Sequence, residues 1–257
     1  MVRHSLWLLA IFYFSYSAEA QYTRGDTTQR KIALVFTGDE FGDGASFIRK
    51  TLKRRNVPAS FFLTGNFYRN PAFSKVVTQL VADGHYMGSH SDKHLLYCDW
   101  ENRDSLLVTK EEFKADLLHS YKELERVGVS KAEAKYFLPP YEWYNDSIVA
   151  WTKELGLTLV NFSPGTRSTA DYTYPGMGDR YVNSQAIFES IVRYEADSPT
   201  GLNGFILLVH IGTDPRRTDK FYRLLPELIE TMRRNGYEWV RINEILKNEP
   251  GRKDSQR

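Results

Sequence analysis

Three of the six histidines fall within residues 84–94, Gly-His-Tyr-Met-Gly-Ser-His-Ser-Asp-Lys-His. Imidazole is the commonest side-chain ligand of zinc and related metals. His90 and His94 are four apart, which on a helical turn stacks both rings on one face and lets them reach one ion. A second group of chemically capable residues follows the apolar run 31–36: Asp39, Glu40 and Asp43 sit in a glycine-rich loop, residues 37–44. His210 closes another apolar run, 205–209. His85 reads as structural and His119, on a long helix, as a surface residue.

These groups need elements to bring them together. Residues 31–36 read as a buried strand, 45–55 as a helix, 59–63 as a strand, 71–82 as a helix and 85–91 as a strand running into the histidine pair. Thr109 and Glu112 form a capping-box signature opening a helix to 127. The alternation continues with a strand and turn at 136–141, a helix at 147–155 and a strand at 158–162. Residues 163–180, rich in Gly, Pro, Thr and Tyr, read as a surface loop long enough to be functional. A helix at 182–194, a strand at 204–210, a helix at 220–235 and a strand at 238–242 complete the pattern. Such alternation implies parallel βα units, and about seven to eight strands favour an α/β fold built as a distorted parallel (β/α) barrel. In that fold reactive groups gather at the carboxyl ends of the strands.

Composition narrows the class of protein. The chain has 257 residues, ample for one large core, and 34 basic residues against 32 acidic give a net charge of +2, so no footprint for nucleic acid is present. No Gly-x-Gly-x-x-Gly or phosphate-loop signature follows the first strand. The lone Cys98 cannot form an internal disulfide. Residues 1–20 carry a basic start, an apolar run and a small-x-small pattern at Ala18 and Ala20, the marks of a cleavable secretory signal. The apolar run falls short of the roughly 20 residues a membrane span needs, so no stable membrane insertion is expected after cleavage. A cysteine at the cleavage point, the mark of a bacterial lipoprotein, is absent. Residues 21–30 are expected to form a polar segment ahead of the fold, 31–247 the catalytic domain and 248–257 a polar tail. The expected location is the periplasm or the cell exterior.

Residues 84–94 resemble the second motif of the polysaccharide deacetylases, the NodB-homology carbohydrate esterases, in which His-Ser/Thr-x-x-His supplies two metal ligands. Residues 57–65, Val-Pro-Ala-Ser-Phe-Phe-Leu-Thr-Gly, resemble the family's second strand. Phe137-Leu-Pro-Pro-Tyr141 is similar to its Arg-x-Pro-Tyr motif, and Leu208-Val-His210 to its late Leu-x-His motif. The resemblance spans residues 31–246 and implies a distorted (β/α) barrel, a divalent metal, usually zinc, and removal of acetyl groups from a glycan.

This chain also departs from the family. The first motif is Thr-Phe-Asp-Asp, its first Asp the base and its second a metal ligand; a match without gaps anchored on Val57 and Pro58 places Thr37 and Gly38 at those positions. Leu138 stands where the family has the arginine that orients the base. Either Asp39 and Glu40 do the work from a differently bent loop, or the site has lost its carboxylates.

Metal-assisted hydrolysis needs two or three protein ligands, an open position and a base. On that chemistry the expected ligands are His90, His94 and Asp39, with Glu40 as base and Asp43 in reserve. His210, a strand-end histidine with an ordinary pKa near neutrality, is expected to protonate the leaving group, a role the resemblance favours, and the resemblance implies that the backbone amide of Tyr141 helps stabilise the oxyanion. Asp92 is a candidate for orienting one of the ligands, and Trp100, Trp143, Tyr144 and Tyr172 for a sugar-binding rim. Three functions follow: a deacetylase of acetylated glycans, a catalytically silent carbohydrate-binding relative, or a hydrolase of another bond such as a cyclic imide or peptide crosslink.

Overall fold

Period-two alternation along β2 (Lys31–Gly38) sorts its side chains onto two faces. Ile32, Leu34 and Phe36 pack into the larger core cluster, between strands and helices, whereas Ala33 and Val35 join a second cluster with Phe62, Tyr86, Leu138 and Leu208. Being buried on both faces explains why the run is apolar almost throughout.

The computed structural model describes residues 21–247. All the strand ladders are parallel: β1 (Gln21–Tyr22), β6 (Thr158–Val160), β5 (Tyr136–Phe137), β4 (Tyr86–Ser89), β3 (Ser60–Leu63), β2 and β7 (Phe205–His210) lie side by side in that order. The eighth strand, β8 (Glu238–Val240), pairs with residues 31–33 of β2, while β3 pairs with residues 35–38. β2 is thus shared lengthwise between two neighbours, which distorts the sheet. Just past β6, the Ser163 amide donates to the Ile206 carbonyl at 3.0 Å and links the far side of the sheet to β7. The expected α/β fold, a distorted parallel (β/α) barrel of about seven to eight strands, is the one observed, with eight strands among the described residues.

Helices α1 (Ala45–Arg54), α3 (Pro71–Ala82), α4 (Lys110–Arg126), α5 (Asp146–Glu154), α6 (Ser184–Asp197) and α7 (Leu225–Arg234) fill the expected places. The capping box before α4 forms: Thr109 Oγ1 accepts from the Glu112 amide at 3.2 Å and Glu112 Oε2 from the Thr109 amide at 2.8 Å. Short helices α2 (Gly65–Arg69) and α8 (Ile242–Ile245) were not legible as periodic runs, and α8 stands where the last strand was expected to reach 242. Among the described residues no helix is long and apolar enough to cross a membrane.

The expectation of a polar segment ahead of the fold at 21–30 needs correction. Gln21–Tyr22 pairs with β6, and Arg24 donates to the carbonyls of Asn203 at 2.9 Å and Gly201 at 2.7 Å and to the hydroxyls of Tyr194 and Thr200 at 3.1 Å each. Polar residues hold this segment, so hydrophobic patterning gave no sign of it. The expected signal at 1–20 and tail at 248–257 lie outside the described residues.

Candidate active site

The strand ends expected to carry chemistry open into one cavity of about 1200 Å³, lined among others by Thr37, Gly38, Asp39, Glu40, His90, His94, Tyr141, Glu142 and His210. The histidine segment reaches it by a turn that is not helical. β4 stops at Ser89, and Ser91 and His94 adopt left-handed backbone with φ of 73° and 57°. Ser91 Oγ accepts from the His94 amide at 2.9 Å. From α4, the buried Asp116 carboxylate accepts from the amides of Asp92 at 3.2 Å and Lys93 at 3.0 Å and from the Tyr97 hydroxyl at 3.1 Å. Burial raises the Asp116 carboxyl above its ordinary range, and these bonds partly offset the rise.

The expected helical stacking of His90 and His94 is therefore corrected, yet the rings still meet, their Nε2 atoms 3.3 Å apart. His90 Nδ1 lies 2.8 Å from the Leu138 carbonyl, which fixes Nδ1 as the protonated nitrogen and leaves the Nε2 lone pair free. Burial holds the His90 ring well below the usual histidine pKa, with the charges of His94 and His210 adding to the effect. Burial also lowers His94, opposed by Asp39. Two neutral imidazoles with adjacent Nε2 atoms are the form a metal ion takes.

Asp39 lies near this pair but is held elsewhere: its Oδ1 accepts from Thr64 Oγ1 at 2.8 Å and from Asn66 Nδ2 at 3.3 Å. Among the described residues no group of three or more His, Cys, Asp or Glu is arranged to hold a metal. Glu40 lines the cavity as an exposed residue. Asp43 is committed to structure, accepting from the Thr213 amide at 2.8 Å and the Tyr222 hydroxyl at 3.2 Å and pairing with Lys220 at 3.0 Å. Asp92 orients neither histidine; its buried carboxylate is paired with Arg69 at 2.5 Å.

His210, at the end of β7, is gripped twice by one carboxylate. Asp171 Oδ1 lies 2.5 Å from His210 Nδ1, and Asp171 Oδ2 accepts from the His210 amide at 2.8 Å. Burial pushes the His210 pKa down, but the charge and hydrogen bond of Asp171, aided by Glu142, outweigh it, and the net shift is upward. Nε2 is the nitrogen left for the cavity. Asp171 lies in the one-turn helix Ser168–Tyr172, inside the segment read as a functional loop, but nothing singled it out in the sequence. Arg217, fully buried, anchors that loop through the carbonyls of Thr173 and Val182.

Tyr141 is exposed beside His94, ring centroids 4.4 Å apart, and Trp100 lies 5.5 Å from both Tyr141 and Trp143. Tyr172 is exposed on the cavity wall next to His210. Tyr144 packs on the core instead and does not line the cavity. His85 is structural: its Nδ1 accepts from the Ala59 amide at 3.2 Å. His119 is exposed.

A sequence model described as "Polysaccharide deacetylase" matches residues 24–160, more than half of the chain. The chain belongs to the polysaccharide deacetylase family. It is 26% identical to a peptidoglycan-N-acetylglucosamine deacetylase of Bacillus cereus over 85% of this chain and 89% of that protein. Its fold matches a solved peptidoglycan N-acetylglucosamine deacetylase with a TM-score of 0.71 at 19% identity, covering 89% of this chain and 94% of the other. It also matches a CE4 family pseudoenzyme from Bacillus anthracis with a TM-score of 0.67 at 16% identity, covering 89% and 69%.

Against the family pattern, the departures at 37, 38 and 138 acquire physical content. Thr37 continues the inner face of Ala33 and Val35, is 1% exposed, and its Oγ1 finds no hydrogen-bond partner among the described residues. Gly38 falls on the opposite face, where a Cβ would sit 2.5 Å from Ile211 Cγ2, 3.1 Å from Leu63 Cδ2 and 3.3 Å from Phe67 Cδ2. That apolar wall has closed over the position of the family's second carboxylate. Leu138 is wholly buried and serves the site through its carbonyl, as the partner of His90.

Proposed function

We propose that this protein is a metal-dependent hydrolase, zinc the expected ion, that removes N- or O-acetyl groups from a polysaccharide or oligosaccharide. The observation that carries the reading is the placement of two neutral histidines with facing Nε2 atoms and an Asp171-held His210 around one cavity. His90 and His94 suit a divalent metal. Asp39 completes the set only by turning away from Thr64 and Asn66. When bound, such an ion supplies Lewis acidity toward an acetyl carbonyl and toward water.

The chain's own residues do the rest. His210 carries its proton on Nε2 when charged, directed by the Nδ1 bond to Asp171, and delivers it to the departing sugar nitrogen or oxygen. Trp100, Trp143, Tyr141 and Tyr172 offer flat apolar faces for sugar rings. The Tyr141 amide is the proposed oxyanion donor. Proton removal from water falls to a cavity carboxylate, with Glu40 the sequence-based choice. The proposed substrate partner is an acetylated glycan, and the signal-like residues 1–20 support export to the periplasm or cell exterior.

A second reading, a silent carbohydrate-binding relative, is favoured by the lack of a carboxylate at positions 37 and 38, where a threonine stands and a Cβ would run into Ile211. Acetate release from acetylated chitooligosaccharides, xylan and peptidoglycan, with and without zinc, beside binding to the same glycans, separates the two. Zinc-dependent acetate release supports the hydrolase; binding without release on every glycan supports the silent relative.

A further inference from the structure

We propose that Glu142 is the catalytic base of this cavity, taking the proton of the water that attacks the acetyl carbonyl in place of the carboxylate absent at position 37. The assignment rests on the deacetylase reading. Glu142 directly follows the Pro139, Pro140, Tyr141 turn beyond β5 and lines the cavity with His210. Its backbone is held in an uncommon conformation. Tyr141 and Glu142 are consecutive non-glycine residues in the left-handed region, φ of 59° and 55°, and such positions gather at functional sites. The Glu142 amide donates to the Pro139 carbonyl at 3.0 Å, and the Glu142 carbonyl accepts from Asn161 Nδ2 at 2.9 Å. The turn is clamped from both sides, which fixes the backbone from which the Glu142 side chain projects.

The other acidic groups of the cavity, and Asp171 behind His210, are engaged or poorly placed. Asp39 is held by Thr64 and Asn66, Asp171 by His210 and Asp214 by Arg216, and Glu40 is exposed. The Glu142 carboxylate accepts no hydrogen bond among the described residues. Burial, with a contribution from Asp171 and against the opposing charge of His210, pushes its carboxyl up to about 7. A carboxylate of that basicity both exists at neutral pH and accepts a proton far more readily than an ordinary glutamate.

In the step proposed, a water O–H bond breaks, its proton passes to Glu142, and the oxygen bonds to the acetyl carbon as the carbonyl π pair moves onto the carbonyl oxygen, from which it returns when the leaving group departs. The bond from that carbon to the sugar nitrogen or oxygen then breaks as His210 donates its Nε2 proton to the leaving atom. Acetate departs, Glu142 releases its proton to solvent and His210 regains one, so the hydrolysis balances with water as the only co-reactant.

The test uses the full chain loaded with zinc, as wild type, Glu142→Gln, Glu142→Ala and Glu40→Gln. Glu142→Gln is expected to lower kcat for acetate release by about 100-fold or more, with KM and zinc per chain within about threefold of wild type. Formate should restore part of the turnover of Glu142→Ala. Carbon NMR of labelled glutamate carboxyls should show a group titrating near neutrality in wild type and missing in Glu142→Gln. A Glu142→Gln kcat within about threefold of wild type, with Glu40→Gln collapsing, would return the base to Glu40. Loss of zinc in Glu142→Gln would make Glu142 a ligand and overturn the base assignment. A wild type that releases no acetate overturns the deacetylase reading itself and the assignment with it.

Discussion

Replacing Gly38 by aspartate restores the second carboxylate of the family's first motif, and the expected result is a less stable protein, not a better metal site. The Cβ would lie 2.5 Å from Ile211 Cγ2, a contact that a β-branched side chain cannot relieve by a simple rotation. Leu63 and Phe67, both 0% exposed, close the other directions. Overpacking of this kind costs about 1–3 kcal/mol. The new carboxyl would also face an apolar wall without a partner, at a further cost of about 1–3 kcal/mol. A loss of roughly 3 kcal/mol lowers the melting temperature of a domain this size by about 6–12 °C. Calorimetry with and without zinc measures it, and adding Ile211→Ala to Gly38→Asp should recover part of the loss. An unchanged melting temperature in Gly38→Asp, together with tighter zinc binding, would refute the reasoning by showing that the wall yields and position 38 can serve as a ligand.

Two further outcomes follow from the titrating groups. Asp171→Asn removes the main charge that lifts His210, leaving burial opposed only by the weaker contribution of Glu142. The proposed general acid is protonated below its pKa, so the upper pH limit of activity should move down, and kcat at neutral pH should fall by about 100-fold; a kcat–pH profile checks both. His85 has its pKa pushed down to about 4, chiefly by burial, against an ordinary 6.5. The folded state therefore resists protonation: the stability tied to neutral His85 is complete above pH 6.5 and is lost as pH falls from there toward 4, up to about 3 kcal/mol. Denaturant unfolding of wild type and His85→Gln over that range should show a shallower acid loss in the variant, and parallel curves would contradict the assignment.

Sequence patterning revealed what burial controls. β2, α3 and β7 are long or strongly apolar, and their periods can be read from the residues alone. The pairing of His90 with His94 was legible from spacing, although its cause was not. A loop with two left-handed residues, tied to a carboxylate 24 positions from Asp92, brings the rings together where a helical turn was expected. Asp171 and Glu142 escaped for a related reason. Asp171 becomes a partner of His210 only through a contact 39 residues long in sequence, inside a stretch without periodicity. Glu142 had one usable signal, a carboxylate directly after a Pro-Pro-Tyr turn at a strand end, but its environment depends on burial and on the charges of His210 and Asp171, which are distant in sequence. Residues 21–30 are held by arginine hydrogen bonds and a two-residue strand, neither of which leaves an apolar pattern.

The central claim is that the cavity unites a metal held by His90 and His94 with acetyl hydrolysis. Titrating zinc into metal-free protein while following acetate release from an acetylated oligosaccharide tests it most directly, in wild type and His94→Ala. Acetate release that rises to a plateau at about one zinc per chain, and stays at background in His94→Ala, is the predicted result. No acetate at any zinc level, or equal release in both proteins, would contradict the account.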